Sequence, residues 1–121
     1  MRLIYDLGIW LYGVLLRLIS PFYPKAKLWV DGRKDILKHI NQTVEKGHKY
    51  IGFHFASLGE FEQGRAVLEQ IKSRFPNEKI ILTFFSPSGF EVRKNTKLAD
   101  YVFYLPEDTP ANAKAFIDII Q

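Results

Sequence analysis

The 121-residue sequence predicts an α/β fold: a parallel sheet in the order βαβαβα, set behind an N-terminal helical arm. Three observations predict it. Short apolar runs ("KYIGFHF", "KIILTFF", "DYVFYL") alternate with stretches of helical spacing. Each run is followed by a loop carrying helix-start chemistry. Strands that alternate with helices pair in parallel, through right-handed crossovers.

The arm comes first. Asp6 and Arg17 bracket the uncharged, mostly apolar run Leu7–Leu16. A spanning helix needs ~20 such residues, so the run is short for a crossing. No small-residue cleavage site follows it, which disfavours a removable signal peptide. Trp10, Trp29, Tyr5, Tyr12 and Tyr23 suit an interfacial belt. Residues 1–24 are expected to be a membrane-associating helix that spans marginally or lies in the interface. The competing reading is an amphipathic helix packed on the domain. Pro21 and Pro24 end it.

"KLWV" then reads as a short extended piece and Asp31-Gly32 as a turn. Ile36, Leu37, Ile40 and Val44 recur at helical spacing, which predicts a helix over 35–46 stopped by Gly47. Residues 49–55 are the first buried strand. Residues 60–75 are a helix with Phe61, Val67, Leu68, Ile71 and Phe75 inward. Residues 79–85 are a second strand, apolar on both faces as expected of a covered parallel sheet. A loop and short helix (86–95), a third strand (100–105) and a last helix (111–120) complete the order. That last helix runs to "FIDIIQ" without a stop signal, and three strands make a small sheet. Both suggest the front part of something longer.

Composition narrows the function. Hydrophobic residues make up 47% of the chain, the level of a globular protein, and there is no cysteine for a disulfide or thiolate metal site. The net charge is +4, with Arg2, Arg17, Lys25, Lys27, Arg33 and Lys34 near the apolar arm. Basic residues beside an apolar segment favour an anionic membrane surface. No nucleic-acid-binding motif accompanies them, so nucleic acid is not expected as a partner. His39 and His48 are expected in solvent. His54 is expected to be a satisfied core or crevice histidine, and no metal spacing joins the three.

Ligands of such sheets bind beyond the carboxyl ends of the strands, so loops 56–60, 85–89 and 105–110 matter. Ser57-x-x-Glu60 and Ser88-x-x-Glu91 both match the capping box, and Thr109-Pro110 is a cap followed by proline. Capping alone accounts for Glu60. The other reading starts from its place at the mouth of the first strand, where a carboxylate can act as general base toward a hydroxyl. Gly59 lets backbone come close to a ligand. Glu62 reads as a surface charge or salt-bridge partner. Phosphate-cradling glycine loops and a nucleophilic serine elbow are missing. The turns at 57–60 and 86–89 retain amides able to hold an anion.

"FHFASLGEFEQG", "KIILTFFSPSGFEVRKN" and "ADYVFYLPEDTPANAKAF" together resemble the N-terminal part of the 3-deoxy-D-manno-octulosonic acid (Kdo) transferase family of lipopolysaccharide synthesis. The resemblance covers almost all of the chain. It implies a two-domain GT-B glycosyltransferase, with residues 25–121 a partial Rossmann-like acceptor domain. The donor domain, which binds CMP-Kdo, would lie outside this chain, and the chain alone would be inactive. The acceptor implied is a lipid A precursor, the place the cytoplasmic face of the inner membrane, and no cofactor is implied. Glu60 falls on the family's catalytic base. Ser57, Gly59, Ser86, Ser88 and Gly89 would line the substrate loops. The alternative is a non-catalytic, membrane-tethered Rossmann-like module that binds a phosphorylated lipid or a protein.

Overall fold

The computed structural model describes residues 1–120. The helical arm is α1 (Arg2–Ile19), followed by α2 (Pro24–Arg33) and α3 (Ile36–Thr43). Then come β1 (Tyr50–Phe55), α4 (Leu58–Arg74), β2 (Lys79–Phe84), α5 (Pro87–Arg93), β3 (Tyr101–Tyr104) and α6 (Pro110–Ile120). The strands form one parallel sheet in the order β1-β2-β3, with Phe55 beside Phe84 and Phe84 beside Tyr104 at their carboxyl ends.

Both faces of β2 are covered, which explains its unbroken apolar run. One face packs Phe61 and Leu68 of α4 on Ile80, Leu82 and Phe84. The other packs Ile40 and Val44 on Ile81 and Phe103, with Phe116 of α6 alongside. Alternate side chains of a strand point to opposite faces, so one strand feeds both cores.

Several expected boundaries shift. "KLWV" is helical, not extended, and Asp31-Gly32 is not a turn: Pro24 opens α2 at its first turn. Ala26, Trp29 and Arg33 then form its buried stripe. Gly32 is tolerated inside the helix because a Cβ there would overlap the Tyr104 ring. The third helix ends at Thr43, since Val44 turns extended while its side chain stays buried. Gly47, at φ 85°, belongs to the following turn and does not stop the helix.

In α4 the inward stripe is Phe61, Gly64, Leu68 and Ile71, leaving Val67 exposed. Phe75 is exposed too, because it follows the helix as a non-helical cap residue. Gly64 sits against the Phe55 ring, where a Cβ would collide. Gly64→Ala should therefore destabilise the domain by roughly 1–3 kcal/mol, the usual cost of overpacking, read from the urea midpoint.

The arm is docked. Tyr12 lies edge-on to Trp29 at 5.7 Å and stacks on Phe85 at 6.0 Å. Gly13 is buried, Arg17 pairs with Glu107, and Tyr5 donates to Asp108. The outer side of α1 leaves Leu3, Leu7, Trp10, Leu11 and Leu18 exposed. Among the described residues no single helix is long and apolar enough to cross a membrane; the pair α1–α2 passes by composition only and is bent by 120°.

Candidate functional site

The residues singled out by the sequence gather at the carboxyl ends of the three strands. Ladder bonding continues past the strands: the Phe85 amide donates to the Phe55 carbonyl at 3.3 Å, Ser86 to Ala56 at 2.9 Å, and Leu105 to Phe84 at 2.9 Å. These bonds hold the loops after β1, β2 and β3 side by side at the carboxyl edge of the sheet.

Glu60 stands in the first turn of α4. Ser57 is the N-cap, and its Oγ accepts from the Glu60 amide at 3.3 Å. The return bond differs from the expected box. Glu60 Oε2 accepts from the Ala56 amide, one residue earlier than the cap, at 2.6 Å. The carboxylate is thereby drawn back over the end of β1. It is exposed, and Oε1 has no bonded partner among the described residues. An ordered carboxylate with one free oxygen facing solvent is equipped to accept a proton from a bound hydroxyl.

The second loop is built the same way but two residues earlier than the sequence suggests. Ser86, not Ser88, is the N-cap of α5, because Pro87 takes the first helical position. Ser86 Oγ accepts from the Gly89 amide at 3.2 Å and shares a hydrogen bond with Ser88 Oγ at 3.0 Å. Glu91 pairs with Lys94 instead of capping. Gly89 is buried against the Phe84 ring, where a Cβ would collide, whereas Gly59 is exposed. In the third loop Thr109 Oγ1 accepts from the Asn112 amide at 3.2 Å, the expected cap of α6. Glu62 is a salt-bridge partner of Arg65 and Arg93, as read from the sequence.

Two groups at this end, Arg33 and the His54–Thr83 pair, have partners the sequence does not show. Arg33, counted there among the surface cations, is 7% exposed. Its guanidinium lies 4.2 Å from the Trp29 ring centroid, 5.0 Å from Phe85 and 5.2 Å from Tyr104, and donates to the Phe85 carbonyl at 2.8 Å. Desolvation lowers its pKa to about 10. Its spacing from Trp29, one helical turn, is the only signal the sequence holds. A cleft of about 160 Å³ next to it is lined by Tyr12, Lys25, Trp29, Phe85 and Ser86.

The second is the pair His54–Thr83, adjacent across β1 and β2, with Nδ1 3.0 Å from Thr83 Oγ1. His54 is exposed rather than in the core, near the carboxyl end of β1, with Thr83 as its hydrogen-bond partner. Partial desolvation of its ring lowers its pKa, an effect opposed by the Glu60 charge and reinforced by Arg33. His39 and His48 are exposed, His48 facing Glu45 at 3.2 Å. Among the described residues no group of three metal-ligating side chains assembles.

Residues 32–121 match the family described as 3-deoxy-D-manno-octulosonic-acid transferase (kdotransferase). The 3-deoxy-D-manno-octulosonic acid transferase of Haemophilus influenzae is 37% identical over 73 residues, 59% of this chain and 17% of that protein. The chain thus matches only a minor part of that relative's length. No solved structure matches. With three-quarters of its residues inside the match, the chain belongs to the 3-deoxy-D-manno-octulosonic-acid transferase family.

Proposed function

We propose that the chain is the acceptor-binding part of a Kdo transferase of lipopolysaccharide synthesis, with Glu60 as its general base. The observation that carries the reading is the Glu60 carboxylate. It is held at the end of β1 by the Ala56 amide, while the side chain stays exposed and its other oxygen has no bonded partner among the described residues. Family membership supplies the reaction class.

In this reading a hydroxyl of a lipid A precursor gives its proton to Glu60 Oε1. The oxygen attacks the anomeric carbon of Kdo, and CMP departs with the bonding electrons. One displacement inverts the anomeric centre, as in inverting glycosidases. A GT-B partner domain carries CMP-Kdo. The loops at Ser57, Gly59, Ser86, Ser88 and Gly89 face that cleft, Ser86 and Ser88 as polar contacts and the glycines as backbone shape. The 121-residue chain alone is expected to bind acceptor without transferring Kdo. No cofactor enters this scheme.

The arm fits an interfacial position at the cytoplasmic face of the inner membrane. Its exposed face combines Leu7, Trp10, Leu11 and Leu18 with lysines 25 and 27 nearby, the composition of an in-plane anchor. Trp10→Glu combined with Leu11→Glu should reduce co-sedimentation with anionic vesicles while leaving the fold intact, since both side chains are exposed.

The test is a transfer assay on the full-length natural protein that carries this chain. Labelled CMP-Kdo should pass its sugar to a lipid A precursor. A protein that binds the lipid but transfers nothing would favour the binding-module alternative.

A further inference from the structure

We propose that His54 is an acceptor-binding residue: its Nε2 lone pair receives a hydrogen bond from one sugar hydroxyl while Glu60 takes the proton of a neighbouring one. The proposal rests on the glycosyl-transfer reading of Glu60 above.

Thr83 is 4% exposed, and its Oγ1 lies 3.0 Å from His54 Nδ1 and 3.4 Å from the Phe53 carbonyl. Its hydroxyl has a single proton to give. In the proposed arrangement that proton goes to the Phe53 carbonyl and the imidazole proton sits on Nδ1, which leaves Nε2 as an acceptor.

Position supports the same role. His54 is two residues before Ala56, whose amide holds the Glu60 carboxylate, and the Glu60 charge acts on the imidazole. Gly52, on the same face one pleat back, is exposed, and a Cβ there would meet nothing within 4 Å. The sheet surface beside the imidazole is open to a ring-sized ligand. The charged groups acting on the imidazole, Glu60 from α4 and Arg33 from α2, have opposite effects, and desolvation favours the neutral ring.

The experiment uses the 121-residue chain, labelled with 15N at histidine, in detergent. The probe is the soluble, deacylated backbone of lipid A, a phosphorylated glucosamine disaccharide. Before ligand, His54 Nε2 should resonate as an unprotonated nitrogen, and it should shift on titration with the probe. His54→Phe, which keeps the ring shape without the acceptor, should weaken binding roughly three- to tenfold, the worth of one neutral hydrogen bond. His54→Gln, which returns an acceptor, should recover most of it. A protonated Nε2 in the free chain overturns the proposal. So does unchanged affinity in His54→Phe, or an Nε2 signal that stays still while the Ala56 and Ser57 amides move. If no amide of the strand-end loops moves, the acceptor reading itself fails and the His54 assignment falls with it.

Discussion

Glu60→Gln in the full-length protein should lower the rate of Kdo transfer by about 10²–10⁴-fold, the range for loss of a positioned general base. The substitution is informative because glutamine keeps the local structure. Its side-chain oxygen can still accept from the Ala56 amide, the bond that Oε2 makes at 2.6 Å. The cap from Ser57 Oγ to the residue-60 amide involves backbone on one side and is untouched. What disappears is the charge and the capacity to take a proton. Loss of the charge at a helix N-terminus costs ~0.3–1 kcal/mol of stability. The unfolding midpoint should therefore fall only slightly while the rate collapses. The readout is single-turnover transfer from CMP-Kdo, with thermal unfolding measured on the same preparation.

Phe84→Ala should destabilise the domain by about 3–5 kcal/mol, the cost of deleting a large buried aromatic side chain. Phe84 is fully buried, with ring centroids of Phe61 at 5.7 Å and Phe55 at 6.4 Å. Its ring also fills the space beside Gly89 that a Cβ would otherwise take. Truncation would leave a cavity between the sheet and both α4 and α5, so no single neighbour can move in to fill it. A domain of this size has a total stability of ~5–15 kcal/mol, so about a fifth or more is at stake. Equilibrium urea unfolding measures it. The site should suffer as well, because the turn holding Ser86 and Gly89 rests on this ring.

Much of this architecture is legible in the sequence for a physical reason. The strands are short and mostly apolar, and each is followed within about five residues by a serine or threonine able to cap a helix. That pattern marks strand ends and the loops after them together, which is why Ser57, Glu60 and Thr109 fall where the sequence places them. What escapes are features set by distant partners. α2 is written with Asp31-Gly32 and looks like a turn, yet Gly32 is needed where the Tyr104 ring presses on the helix. Arg33 looks like one more surface cation until Trp29, Phe85 and Tyr104 close around it. The cap of α5 moves from Ser88 to Ser86 because Pro87 suits the first helical position, a local rule outweighed by a more conspicuous motif. His54 gains its meaning only through Thr83, 29 residues later.

The central claim is that Glu60 does chemistry beyond capping, and one comparison bears on it most directly. Ser57→Ala removes the side-chain cap of α4 and should cost ~1 kcal/mol of stability; Glu60→Gln removes the base and leaves that cap in place. The measurement is the single-turnover rate of Kdo transfer for both variants at a temperature where each is folded. A loss of at least a hundredfold in Glu60→Gln, with Ser57→Ala within a few fold of the parent, is the predicted result. Similar losses in both, following their unfolding midpoints, would make Glu60 a capping residue and contradict the account.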